Sequence, residues 1–190
     1  MSTKGRQMSK LIIADLVVLG ICQKSPTSPE GLIRIAKSLI PDLWQPTGGV
    51  LLSAIQRNLT AGYLDFIDTE LLSDVLELTP AGSEQVRTLL LADPGNETTS
   101  TTLTADAIQF FFLDNADAET ADQVLKRLRL KVGRRISEFK KRSNKYPSQG
   151  RFTGMWANME KCRLEGMAQM LENVSMYRSQ VILDIRKAAE

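Results

Sequence analysis

Histidine is absent from the 190-residue chain. That removes the commonest general base and the commonest metal ligand together, so an enzyme is not expected. Cysteine is nearly absent. Cys22 and Cys162 lie far apart, each in a predicted helix, and form neither a metal-ligand pair nor a disulfide framework. Both read as buried or partly buried thiols of a cytoplasmic protein in a reducing compartment. Glycine-rich phosphate loops are also missing, since Gly48-Gly49 and the isolated glycines match neither nucleotide motif. The sequence therefore calls for no cofactor and no metal. The apolar run Leu11 to Cys22 follows Lys4, Arg6 and Lys10 as a secretory signal would. Asp15 interrupts it, it is too short to cross a bilayer, and no small-residue cleavage site follows. It reads as a buried first helix, with no membrane as partner.

What is present is a globular composition, 43% hydrophobic and 24% charged, with a formal net charge of +2. Helix one, roughly Ser9 to Gln23, is apolar on nearly all sides, as expected of a helix covered from more than one direction. Thr27, with Glu30 three residues on, forms a capping-box pattern for a second helix with Pro29 in its first turn. Its stripe is Leu32, Ile33, Ile35, Ala36, Leu39 and Ile40, and Pro41 stops it. Trp44 reads as a core plug in the connection that follows.

The stretch from Trp44 to Tyr63 organises the rest. Thr47 is placed to cap a helix and Gly62 to end it, so the helix should occupy about residues 48 to 61. At 100° per residue Val50, Leu51, Ala54, Ile55 and Leu59 fall on one side, with Gly49, Ser53, Gln56 and Thr60 on the other and Arg57 at its edge. The second side suits double-stranded DNA. Small and polar groups approach base edges closely, Gln pairs with adenine, and Arg pairs with guanine or phosphate. Candidate DNA-binding residues are therefore Thr47, Gly49, Ser53, Gln56, Arg57 and Thr60. Neither Gln56 nor Arg57 faces the predicted core.

After Gly62, residues 63–68 and 75–78 are short and apolar enough to pair as a hairpin, a wing, around residues 69–74. Thr79-Pro80 starts a fourth helix bearing Val86, Leu89 and Leu90, which Asp93-Pro94-Gly95 ends. The polar, threonine-rich residues 96–102 read as a linker. The expected division is thus a winged helix-turn-helix domain over residues 1–95, a linker over 96–102 and a helical dimerisation domain over 103–190. The fold class is mainly α with a two-stranded wing. In the second half, Thr104 is placed to cap a helix rich in phenylalanine, and a long helix carries Val124, Leu125, Leu128, Val132, Ile136 and Phe139 until Tyr146-Pro147. The last helix begins near Thr153. Its row Met167, Met170, Val174, Tyr177 and Val181 recurs at three- and four-residue steps, a stripe suited to a homodimer.

With these elements placed, the sequence resembles the PadR family of bacterial transcription regulators, in particular members with a long helical C-terminal domain. Trp44, Pro46, Thr47, Gly49, Ala54, Ile55, Arg57 and Gly62 match that family's pattern around its reading helix. Leu78-Thr79-Pro80-Ala81-Gly82 matches its Leu-Thr-Pro-x-Gly signature. The resemblance covers residues 10 to 91 and extends over the helical remainder in outline. It implies a winged-helix fold, transcription regulation through DNA, and a ligand or partner sensed by the helical domain. Two departures stand out. Leu52 replaces a family tyrosine, and the wing carries Asp65, Asp68, Glu70, Asp74 and Glu77 where the family has basic residues.

Charge is distributed unevenly. Residues 1–91 hold eight cations against nine carboxylates, whereas residues 126–145 hold ten cations against Glu138 alone. Within the latter, Arg134, Arg135, Lys140, Lys141 and Arg142 form a candidate basic surface for DNA backbone or an acidic protein partner, or else a solvated helix face. Two functions follow. One is a dimeric DNA-binding regulator. The other is an interaction module of the same fold that has lost DNA affinity and binds proteins through its acidic wing or basic helix.

Overall fold

The computed structural model describes residues 10–40, 45–69, 72–145 and 150–188, with side chains over 11–40, 45–67, 74–144 and 150–178. The expectations for Trp44, Pro41 and Tyr146-Pro147 lie outside the described residues. In order the elements are α1 (Lys10–Lys24), α2 (Pro29–Leu39), α3 (Gly48–Thr60), β1 (Leu64–Thr69), β2 (Leu72–Leu78), α4 (Pro80–Leu91), α5 (Ser100–Phe111), α6 (Ala118–Lys145) and α7 (Arg151–Ala188). Three helices, an antiparallel hairpin and a fourth helix make a winged helix.

Helix α1 is the centre of this unit. Leu16, Val17, Val18 and Leu19 are consecutive and fully buried. At about 1.5–3 kcal/mol for each large apolar side chain, they anchor the core. Such burial all round a helix requires cover on every side, and α2, α3, α4, α5 and β2 all pack on α1. Where α5 leads into its closing turn, Phe112 meets Gly20 so closely that a Cβ there would lie 2.6 Å from the ring. Asn115 donates to the Gly20 carbonyl at 2.9 Å, and Gln109 donates to the Leu89 and Ala92 carbonyls at the end of α4.

The caps differ in detail from the expected ones. The first cap of α2 is Ser28, whose hydroxyl accepts from the Gly31 N–H at 3.1 Å. Thr27 is instead held extended by backbone hydrogen bonds in both directions with Leu76 of β2, which delays the helix by one residue. Helix α5 is capped by Thr99, not Thr104, with a reciprocal capping box between Thr99 and Thr102. Residues 100–102 of the expected linker are therefore its first turn. The compact unit runs on to Ala121, past the boundary expected at residues 96–102, because α5 supplies part of the cover that α1 needs. Asp117 accepts from the Thr120 N–H at 2.8 Å and so caps α6. The Thr120 hydroxyl donates to the same carboxylate at 2.7 Å, and that bond first, then the one from the Thr120 N–H, holds the carboxyl below the usual range.

The second unit starts at Asp122 and comprises most of α6 with α7. Arg129 pairs with Glu172 at 3.3 Å and Arg178 with Asp122 at 3.6 Å, so the two helices run antiparallel. Leu164 and Leu171 of α7 are buried. No described helix is long and apolar enough to cross a membrane.

Candidate nucleic-acid interface

Helix α3 is positioned from beneath and left open above. Leu51, Ala54, Ile55 and Asn58 are buried, at the three- and four-residue steps that seat one face against α1 and α2. Ala61 ends the helix and Gly62 follows at φ +73°, the left-handed conformation that turns the chain into β1. Thr47 occupies the cap position without a side-chain capping hydrogen bond.

Of the candidate DNA-binding residues, Thr47, Gly49, Ser53, Gln56 and Thr60 are exposed. Ser53 donates its hydroxyl proton to the Gly49 carbonyl and Thr60 to that of Gln56, both at 2.9 Å. No side chain crowds Gly49. Val50 is exposed and not part of the core, and Leu52, on the other flank of the open face, is half exposed.

Arg57, the remaining candidate, is paired within the domain. Its guanidinium donates to Asp15 Oδ1 of α1 at 2.7 Å, and that same oxygen accepts from Asn58 Nδ2 at 3.1 Å. Arg57 is the single cation of α3, and it is engaged in tying the helix to α1. Burial raises the Asp15 carboxyl above its ordinary value, against the lowering pull of Arg57 and Asn58. Because the folded value lies above the unfolded one, the ionised form is what the fold disfavours. Asp15 therefore contributes more stability below its unfolded value than at neutral pH, and loses it as pH rises between the two. Arg57→Ala is expected to cost about 1–2 kcal/mol, since a half-buried carboxylate loses a charged hydrogen bond that is partly screened by solvent. Urea titrations at pH 7 and pH 4 should show the larger loss at pH 7. Equal losses would mean that the pair is not what Arg57 supplies.

The wing shows an acidic surface. Residues pair Leu64 with Leu78, Asp65 with Glu77, Phe66 with Leu76 and Ile67 with Val75. Asp65 and Glu77 are directly opposite and both exposed, a like-charge pair that costs stability in an antiparallel ladder. Asp74 adds a third exposed carboxylate, at φ +66°. The side chains of Asp68 and Glu70 are outside the described residues.

No family model matches the chain, and no curated protein matches its sequence. Solved structures do. The chain is similar to PadR. Bacillus subtilis PadR is 14% identical, the match covering 88% of this chain and 95% of that one at a TM-score of 0.42. The same protein in complex with operator DNA is 16% identical over 84% of this chain and 96% of that one, at 0.39. The protein smu.1604c from Streptococcus mutans is 13% identical over 85% and 98%, at 0.35.

In the second unit, Lys140, Lys141 and Arg142 are exposed, as is Arg134. Arg135 is not part of a surface: it is buried. With Arg142 it acts on Glu160 of α7, whose carboxyl is held low first by its hydrogen bonds from Arg163. Basic residues recurring along α6 fall on both its faces, so only part of the run reaches solvent.

The expected dimerisation row divides similarly. Met170 and Tyr177 are exposed, Met167 and Val174 are half-buried, and the side chain of Val181 lies outside the described residues. The larger apolar surface is nearer the start of α7. Phe152, Met155, Trp156 and Met159 are exposed there, Phe152 to 82% and Trp156 to 70%. On a helical wheel Phe152, Met155 and Met159 share a side with Met170 and Tyr177, turned away from Leu164 and Leu171, with Trp156 at its edge. A wide apolar stripe signalled this helix in the sequence, but only its three-dimensional packing separates the side used within the unit from the side left open. Cys162 lies on the open side and is exposed, contrary to expectation, whereas Cys22 is buried and its thiol is pushed up to about 12.

Proposed function

We propose that the protein is a homodimeric winged-helix DNA-binding transcription regulator of the PadR type, acting in the cytoplasm, with α3 as the helix that enters the major groove. The observation that carries this reading is the outward face of α3. One side of the helix is locked to the core, while Gly49, Leu52, Ser53, Gln56 and Thr60 stand exposed beside a two-stranded wing. A rigid helix with an unobstructed face is what reading base edges requires. Self-association through the open side of α7 would supply the pair of reading helices that two half-sites require. Thr47 and the exposed cations of α6 are proposed to meet phosphate, the latter because the first 91 residues carry no excess positive charge.

Titration of the purified protein against fragments of its own promoter, at several salt concentrations, tests this. Regulation predicts a preferred fragment and an affinity that falls with salt. Replacing Lys140, Lys141 and Arg142 with Gln is expected to lower the magnitude of the log–log salt slope by about 0.9 for each phosphate no longer neutralised. An unchanged slope would remove α6 from the interface.

The opposed Asp65 and Glu77 favour a second reading, in which the fold serves as a protein-binding module. Like charges held face to face repel phosphate and attract a cationic partner. Under this reading Asp65→Asn with Glu77→Gln abolishes capture of that partner, and promoter fragments show no preference.

A further inference from the structure

We propose that α3 reads A·T base pairs, through thymine methyl groups at Leu52 and adenine at Gln56, and leaves guanine unread. This rests on the DNA-binding reading above and adds the class of base pair recognised.

Guanine presents two acceptors in the major groove, N7 and O6, and is normally met by the paired donors of Arg or Lys. Helix α3 has one such side chain, Arg57, and its guanidinium is engaged by Asp15 at 2.7 Å. The hydroxyl protons of Ser53 and Thr60 are donated to the carbonyls of Gly49 and Gln56. In this arrangement both oxygens are left as acceptors, matched to the N6 amino group of adenine or N4 of cytosine. Gln56 is the residue that carries donor and acceptor together, the arrangement that fits adenine N6 and N7.

Leu52 then separates adenine's pair from cytosine's. It lies four residues before Gln56, one turn away on the same face, and half of its surface is exposed, at 50%. An exposed leucine on the reading face of a DNA-binding helix has no polar base edge to satisfy. It does match the 5-methyl group of thymine, which neither cytosine nor guanine carries. Side by side, Leu52 and Gln56 describe a thymine next to an adenine.

The experiment selects binding sites for the full-length protein from a randomised duplex library, then measures affinity for the recovered site with single thymines replaced by deoxyuridine, which lacks only the methyl group. A·T pairs are expected at the positions whose preference Gln56→Ala relaxes, by about fivefold or more. Removing the methyl group next to them should weaken binding by roughly three- to fivefold, and Leu52→Ala should bind the thymine and deoxyuridine forms equally. Both side chains are exposed, so both variants should melt as the parent does. A required guanine at the positions read by α3, or a Leu52→Ala protein that still discriminates thymine from deoxyuridine, overturns the inference and leaves the DNA-binding reading standing. A library from which no sequence is enriched overturns both. Asp15→Ala gives an independent check: releasing Arg57 should add a guanine to the preferred site, and a site unchanged in this variant would overturn the part assigned to the Asp15 pair.

Discussion

If the protein is the homodimer proposed above, Met159→Asp is expected to leave it a monomer. Met159 lies in the middle of an exposed apolar row that runs from Phe152 through Met155 and Trp156, and that reappears at Met170 and Tyr177. Exposed apolar surface of this kind suits association, and a second copy would offer the same surface in return. A carboxylate placed there without a partner must give up hydration, at several kcal/mol. Self-association should weaken at least a hundredfold. Sedimentation equilibrium at micromolar protein, with helical content followed by circular dichroism, reads the result. Because Met159 is exposed in the single chain, folding of the subunit should survive. A dimer of unchanged affinity would remove this face from the interface. Val174→Asp is the less informative variant, because Val174 is half-buried and the charge would also disturb packing within the subunit.

Gly82→Ala should be the most destabilising single methyl group in the winged-helix unit. A Cβ at this position would lie 2.1 Å from the Tyr63 carbonyl oxygen and 2.8 Å from Leu78 Cδ1. That carbonyl accepts from the Thr79 N–H, Thr79 donates its hydroxyl to the Gly62 carbonyl, and the Gly82 N–H donates back to Thr79. The obstacle is therefore backbone, held on three sides where α3, β1 and α4 meet, and it does not yield as a side chain would. Overpacking of this severity costs roughly 2–4 kcal/mol. The melting temperature should fall by on the order of 10 °C. Under the DNA-binding reading proposed above, affinity for the preferred fragment should fall with it, since the same knot joins α3 to the wing. Gly133→Ala in α6 is the control. Nothing lies within 4 Å of its Cβ position, so the exchange should be neutral or stabilising by up to about 1 kcal/mol. Equal melting of the two variants would show that the Tyr63 carbonyl moves aside freely.

Helices α2, α3 and α4 and the paired strands were legible in the residues themselves, because their signals are local. Apolar positions recur within one element, Gly62 and Pro80 act on their neighbours, and the Thr79 cap reaches only three residues. Leu51, Ala54 and Ile55 of the core face of α3 followed from the same spacing, as did the exposure of Ser53, Gln56 and Thr60, whereas Val50 is exposed and the polar Asn58 takes a core position. Even at this range two caps of similar chemistry compete. Thr27 and Ser28 both suit the start of α2, and the bridge from Thr27 to Leu76, distant in sequence, decides for Ser28.

Tertiary structure decided what depends on partners far along the chain. Arg57 sits at the edge of a polar face and reads as a DNA contact until Asp15, forty-two residues earlier, is placed 2.7 Å away. The threonine-rich stretch has the polarity of a linker, yet Thr99 and Thr102 cap each other and start a helix whose far side α1 must bury. Arg135 belongs to a run of cations that composition assigns to solvent, and packing places it near Glu160 instead. In α7 the periodicity reveals a helix apolar on two sides but not which side its own subunit uses. Periodicity records the direction in which a side chain points, whereas burial depends on what folds back to meet it, and for α7 that is α6 against Leu164 and Leu171, with Phe152, Trp156 and Tyr177 left open.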